Sequence, residues 1–381
     1  MLKQQKIFFD FLRFCIGSAK EIPGSLKEVD WKELYAIAKK QALLCVLFHG
    51  IQRLPKELAP EQKLLMQWMV MAEMIRKQNI RLFQDSVKVC KNFENKGFAN
   101  CILKGQGNAL LYPDPYMRTP GDIDIYLSGG RRKIMKYVDR VCPNQVMRYH
   151  HVDFPVMKTA IEVHFTPSYM FCPIYNQRMQ KWFEEVMGEQ CNHRVSLPDG
   201  YGEIHVPQAS FNVIYILSHL YRHIFTEGIG LRQLLDYYFV LVKWHTDLTN
   251  LTDSNKSLSQ MTQINTDLDT LRHELKYLGL WKFAQAVMYV LHEVFGLSED
   301  RMIAPMDERE GWFLLDEIMR GGNFGQYDDR MGSKVGESKM HRYFRMNLRN
   351  LRFVKHYPTE ALSEPLFRTW FALWKKIHGI K

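Results

Sequence analysis

Apolar residues recur every three to four positions from the start of the chain to about Gly97, the period of helices that bury one face. Residues 7–14 predict a first amphipathic helix, apolar but interrupted by Asp10 and Arg13, unlike the uncharged core of a secretory signal. Asp30 followed by Glu33 reads as a capping box that opens a helix through Leu34, Ile37, Ala38 and Leu44 toward Gly50. A longer helix runs from about Glu61 through Trp68, Ile75, Leu82 and Val89, with Gly97 as its C-terminal cap. The period then changes. Short apolar runs at 100–103, 123–127, 146–149 and 160–165 alternate as strands do. Between the first two lie Gly105-Gln106-Gly107, a short helical piece, and a loop at 112–116 whose prolines forbid regular structure. Beyond Pro207 the helical period returns over 211–223, 231–244, 268–297, 311–319 and 339–354. The Ser/Thr/Asn-rich stretch 246–266 predicts an exposed, mobile loop, and Pro358 and Pro365 are expected to break up the C-terminal end. The pattern divides the chain into an N-terminal helical region (1–97), a strand-bearing core (98–206) and a C-terminal helical domain (207–381).

With 46% hydrophobic and 24% charged residues, the chain can bury enough apolar surface to offset its ordering entropy, and 381 residues suffice for two or three compact units. Lys and Arg outnumber Asp and Glu by 51 to 41, a net charge of +10 that favours phosphate-bearing partners: nucleotide, nucleic acid or an anionic membrane surface. The seven cysteines are odd in number, scattered and without a C-x-x-C pair. Neither a disulfide framework nor a zinc knuckle is indicated, and a reducing cytoplasm fits best. No run of about 18 apolar residues predicts a membrane span.

The chemistry centres on Asp122-Ile123-Asp124-Ile125. On a strand, residues two apart share a face, so Asp122 and Asp124 project together while Ile123 and Ile125 enter the core. Two like charges held close are costly unless a cation lies between them, and hard oxygen ligands suit Mg²⁺ or Mn²⁺ bound to substrate phosphates. Metals so held can clamp the entering and leaving oxygens of an in-line phosphoryl displacement. An isolated D-x-D reads first as a strand end exposing two solvated aspartates, so its surroundings decide. Upstream, Leu103-Lys104-Gly105-Gln106-Gly107-Asn108 leads from a strand through glycines into a helix start, where backbone N–H groups and Lys104 can cradle phosphate oxygens. Downstream, 160–165 alternates so that Glu162 and His164 share a face, and Glu162 can supply a third acid. Asp153, in His150-His151-Val152-Asp153, competes for that role. His164 is read either as a group orienting a carboxylate or as a satisfied core histidine, and Arg118 either as a phosphate contact or as half of a loop ion pair.

The segments 101–105 and 111–115, Arg118, Gly121-Asp122-Ile123-Asp124, Ile161-Glu162-Val163-His164-Phe165, His219-Leu220, His223 and Gly230-Leu231-Arg232 with Asp236 together resemble the uncharacterised bacterial nucleotidyltransferases of the DNA polymerase beta-like superfamily. The helix from Asp30-Trp31 is similar too, so the resemblance covers most of the chain. It implies an α+β fold, with a small mixed-sheet nucleotidyltransferase core flanked by N-terminal helices and a C-terminal helical domain. It further implies transfer of a nucleoside monophosphate from an NTP to an acceptor hydroxyl, the acceptor being a small molecule, RNA or protein. Carried over by position, Asp122 and Asp124 bind the metals, and Glu162 binds one of them and helps deprotonate the acceptor. Lys104, Gly105, Gln106, Gly107 and Arg118 contact the nucleotide. The family's usual Gly-Ser or Gly-Gly pair is Gly105-Gln106 here, and the loop to the aspartates is long.

Other signals carry less. His219 and His223 have the spacing of two metal ligands on a helix, but no glutamate follows the first as a zinc protease requires. Arg232 and Asp236 suit an intrahelical ion pair. Arg342, Arg345, Arg349 and Arg352 form a basic stripe beside Phe344, Leu348 and Leu351, expected to be solvated or to follow a nucleic-acid backbone. Gly321-Gly322-Asn323-Phe324-Gly325 reads as a loop. A D-x-D glycosyltransferase would place alternating strands and helices before the motif, where this chain is helical, and a non-catalytic binding protein on the same fold is the other alternative.

Overall fold

The computed structural model describes residues 3–253, 258–330 and 338–380. In chain order it forms α1 (Lys3–Ile16), α2 (Trp31–Lys40), α3 (Leu44–Ile51), α4 (Gln62–Glu94), β1 (Asn100–Leu103), α5 (Gly105–Ala109), β2 (Ile123–Leu127), α6 (Gly130–Val141), β3 (His151–Asp153), β4 (Ile161–His164), α7 (Pro173–Gln190), β5 (Arg194–Ser196) and β6 (Glu203–His205). Helices follow: α8 (Ala209–Thr226), α9 (Leu231–Asp253), α10 (Leu258–Tyr277), α11 (Trp281–Phe295), α12 (Glu308–Gly321), α13 (Lys339–Val354) and α14 (Pro358–Ile377). The fold is α+β, many helices around a small mixed sheet. The chain divides into two compact units that interleave in sequence: Met1–Asn79 with Leu111–Thr119 and Thr226–Arg349, and Ile80–Leu110 with Pro120–Phe225 and Asn350–Lys381.

In the first unit, Asp30 caps α2 by accepting from the backbone N–H groups of Lys32 (2.9 Å) and Glu33 (3.2 Å). The helix expected to continue to Gly50 is instead two. The buried Gln41 side chain donates to the Ile318 carbonyl and accepts from the Leu231 amide, and Ala42 takes a positive φ of 56°. Satisfying that buried amide outweighs helical continuity. At Gly50 a Cβ would lie 2.1 Å from Cys15 Sγ, so the close approach of α1 to α3 requires glycine.

Three other expectations fail in this unit. The stretch 246–266 is helical in α9 and α10 on either side of residues 254–257, which lie outside the described residues. Ser, Thr and Asn cost only up to about 0.7 kcal/mol each against alanine in a helix, and Thr246 returns its hydroxyl to the Val242 carbonyl (2.8 Å). The stretch 268–297 breaks at Gly279, φ 73°, between α10 and α11. The basic stripe of α13 is also not a uniformly solvated face. Arg349 is buried with Nε 3.6 Å from Asp328 Oδ2, Arg345 Nη1 donates to the Arg330 carbonyl, and Phe344 and Leu348 are 57% and 69% exposed. The Arg342 side chain lies outside the described residues. Asp328, bonded chiefly by Arg330 Nε at 2.7 Å, also faces Arg349, so that arginine is drawn into a buried ion-pair cluster while the apolar side chains turn out.

The second unit holds the four-stranded sheet, order β1-β2-β4-β3, antiparallel, parallel and antiparallel in turn. Its register sets Leu103, Asp124, Glu162 and Asp153 in one row across the strands, and Cys101, Tyr126, His164 and His151 in another. The strand expected at 146–149 is displaced: Met147 makes a single bridge to Val152, and the strand itself is His151–Asp153. Helices α6 and α7 and the β5–β6 hairpin add to the pattern read from the sequence. Among the described residues no helix is long and apolar enough to cross a membrane, and all seven cysteines are free.

The prolines near the C-terminus do not break the chain up. Pro358 stands in the first turn of α14, where its missing N–H costs nothing, and the helix runs on through Pro365. Beyond it Phe367 packs against Tyr149 and Tyr169, with ring centroids 5.0 and 5.1 Å away. Glu360 reaches from the first turn of α14 to the start of α7, accepting from the Phe171 (2.7 Å) and Cys172 (3.0 Å) amides. Burial pushes its carboxyl from 4.5 up to about 7 against those two hydrogen bonds. A folded-state value above the unfolded one gives stability that is complete below about pH 4.5 and lost as pH rises through 7, roughly 3 kcal/mol in all. Glu360→Gln is therefore expected to flatten the fall in urea-unfolding free energy between pH 5 and 8. Identical slopes in the two proteins would overturn the assignment.

Candidate active site

Asp122 immediately precedes β2 and Asp124 is its second residue. The parallel pairing of β2 with β4 makes Asp124 and Glu162 Cα partners, and antiparallel pairing makes Asp153 the partner of Glu162. Directly opposed residues share a face, so Asp124, Glu162 and Asp153 project to the same side and the two sequence candidates, Glu162 and Asp153, stand next to one another. Ile123, Ile125, Ile161 and Val163 fill the core.

Asp124 is buried and both its oxygens are engaged. Lys104 Nζ donates to Oδ2 at 3.0 Å and His164 Nε2 donates to Oδ1 at 2.9 Å. Burial alone would raise its carboxyl, but Lys104 and His164 overcome it and hold Asp124 well below the usual carboxylate range. Burial likewise opposes a charge on His164, yet its bonds to Asp124 and Glu162 raise it above the ordinary histidine value. Asp122 has the opposite fate. The charge on Asp124 first, then burial and the charge on Glu162, push it from 3.8 to about 6. Three carboxylates thus converge, and Lys104 does not outweigh the repulsion that Asp124 and Glu162 exert on Asp122, the arrangement a divalent cation would relieve.

Lys104 reaches this position by an uncommon backbone, φ 55° and ψ −130°, followed by Gly105 at φ 42°. Such a conformation in a non-glycine residue costs about 1–3 kcal/mol and persists only where its surroundings enforce it. Nζ also donates to His219 Nε2 at 3.2 Å. On α8, Arg222 Nη2 donates to His223 Nε2 at 2.8 Å, so His219, Arg222 and His223 share one face at helical spacing, with Arg222 a second cation besides Lys104. Burial, then Lys104 and the other neighbouring cations, hold His219 far below its ordinary value.

The remaining sequence candidates lie as follows. A Cβ at Gly107 would stand 2.9 Å from Val206 Cγ1, which accounts for glycine there by packing. Gln106 is fully buried, and neither side-chain oxygen nor nitrogen finds a hydrogen-bond partner among the described residues. Arg118 belongs to the first unit, where Nε and Nη2 each donate to Asp236 at 2.8 Å and Tyr112 Oη donates to the same carboxylate at 2.7 Å. Sequence reasoning gave no site role to Arg222, whose signal was its helical spacing from His219 and His223, or to the His150-His151 doublet, which lies at the start of β3 and is buried.

A family model described as an uncharacterised nucleotidyltransferase matches residues 27–296, well over half of the chain. Neither a curated protein nor a solved structure matches it.

Proposed function

The chain belongs to the uncharacterised nucleotidyltransferase family, and from that premise we propose that it moves a nucleoside monophosphate from an NTP to an acceptor hydroxyl with release of pyrophosphate. The observation that carries this reading is the row Asp124–Glu162 on the parallel β2–β4 pair, with Asp122 two residues earlier and Lys104 against Asp124. The donor set fits a divalent cation: Asp124, Glu162 and His164 offer ligand atoms within 4.8 Å of one another, and Asp122 carries an uncompensated repulsion. Mg²⁺ or Mn²⁺ held by Asp122, Asp124 and Glu162 would neutralise triphosphate charge and polarise the α-phosphate.

The chain's own groups do the rest. Lys104 offers a cation to the phosphate oxygens from a backbone conformation already fixed. Glu162 accepts the proton of the acceptor hydroxyl as its oxygen attacks the α-phosphorus, and the bond from that phosphorus to the bridging oxygen breaks as pyrophosphate departs. His164 holds Asp124 in place. Positioning and charge neutralisation supply most of the rate in such transfers. The test is to incubate the protein with each NTP, labelled at the α-phosphate, with Mg²⁺ and a fractionated cell extract. One fraction is expected to take up label together with stoichiometric pyrophosphate. Pyrophosphate and labelled product absent with all four nucleotides would overturn the reading.

A further inference from the structure

His150, His151 and His164 are 4%, 5% and 1% exposed. Each leaves one ring nitrogen (Nδ1, Nε2 and Nδ1 respectively) without a hydrogen-bond partner among the described residues. Their other nitrogens crowd together. His150 Nε2 lies 3.2 Å from His151 Nδ1, His151 Nδ1 lies 3.2 Å from Glu162 Oε2, and His164 Nε2 lies 3.6 Å from that same oxygen. His151 Nδ1 has at most one proton to share between His150 and Glu162, so hydrogen bonding alone accounts for only one of those contacts. Donor atoms about 2.0–2.1 Å from a tetrahedral ion lie about 3.3 Å from one another, and these separations bracket that value.

The backbone holds the cluster in place. His151 and His164 are Cα partners on antiparallel β3 and β4, and the His150 carbonyl accepts from the Phe165 amide at 2.8 Å. The three histidines offer ligand atoms within 4.8 Å of one another, and Glu162 does so with His151 and Asp153. Imidazole donors select zinc-like transition metals, whereas carboxylates alone suit Mg²⁺. We propose that His150, His151 and His164, with Glu162, form an imidazole-rich site for a transition-metal ion of the Zn²⁺ class, beside the oxygen donors Asp122 and Asp124, the ion taking the place of the proton that His164 Nε2 shares with Asp124 in its absence. The site shares Glu162 and His164 with the proposed reaction but binds its ion whether or not transfer takes place.

Co²⁺ is the probe. Full-length untagged protein, stripped with a chelator and dialysed, is titrated with Co²⁺. One equivalent is expected to give visible absorption of low-coordinate nitrogen–oxygen ligation, displaced by equimolar Zn²⁺ and unaffected by millimolar Mg²⁺. His150→Gln and His151→Gln are each expected to weaken Co²⁺ binding by more than the roughly 10–100-fold typical of an outer partner, while Asp122→Asn keeps the spectrum. Absence of the band in the wild-type protein, or its displacement by Mg²⁺, overturns the site without any reliance on a variant that folds. Failure of this titration alongside intact labelled transfer removes only the imidazole site, and a cobalt band without transfer removes only the transferase reading.

Discussion

Asp124→Asn is expected to lower nucleotidyl transfer by about a thousandfold or more while the chain still folds. The loss follows from charge: a metal clamp on phosphates contributes several kcal/mol to the transition state, and each 1.36 kcal/mol is tenfold in rate. The asparagine oxygen can still accept from His164 Nε2, but Lys104 Nζ, 3.0 Å from Oδ2, loses its counter-charge. Some stability goes with it. Asp122→Asn separates the two effects, because Asp122 is raised to about 6 chiefly by the charge on Asp124. A group raised in the folded state loses its contribution as pH rises through that value. Asp122→Asn should then be more stable than the wild type above about pH 6 in the presence of a chelator, and inactive with Mg²⁺. Retention of more than a tenth of wild-type transfer by Asp124→Asn, with the melting curve unchanged, would end the mechanism.

How far this site was legible in the chain depends on what kind of interaction built each part. Alternation fixes which residues of a strand share a face, so Asp122 with Asp124, and Glu162 with His164, could be read from spacing alone. Which strand lies beside which could not, because pairing is set by tertiary packing of Ile123, Ile125, Ile161 and Val163. The choice between Glu162 and Asp153 therefore looked exclusive from the sequence, whereas the register makes them neighbours. Local chemistry misled where buried partners outweighed it: the Gln41 side chain ends α2, Asp328 turns Arg349 inward, and packing of Phe367 carries α14 past Pro365. In each case the deciding group lies far away in sequence or on another element, where no local period can report it. Helix propensity was the weakest guide, since the tenths of a kcal/mol separating Ser, Thr and Asn from better helix formers do not stop α9 before Asp253.

Arg118→Met is expected to destabilise the first unit by about 3–5 kcal/mol, the cost of stranding a buried charge. Asp236 is buried, and although burial raises its carboxyl, Arg118 overcomes this and keeps it low, with Arg232 and the Tyr112 hydroxyl contributing. A group depressed in the folded state lends stability that is present at neutral pH and lost as the medium is acidified through its folded-state value. Removing Arg118 should accordingly make urea unfolding easier at pH 7 and reduce the loss of stability on acidification. Adding Asp236→Asn should recover most of the deficit, since the asparagine oxygen still accepts from Tyr112 Oη and the stranded charge is gone. The double variant also decides what Arg118 does. Labelled transfer that returns with stability makes the arginine a structural counter-ion, whereas a stable double variant that stays inactive makes it a nucleotide contact in its own right.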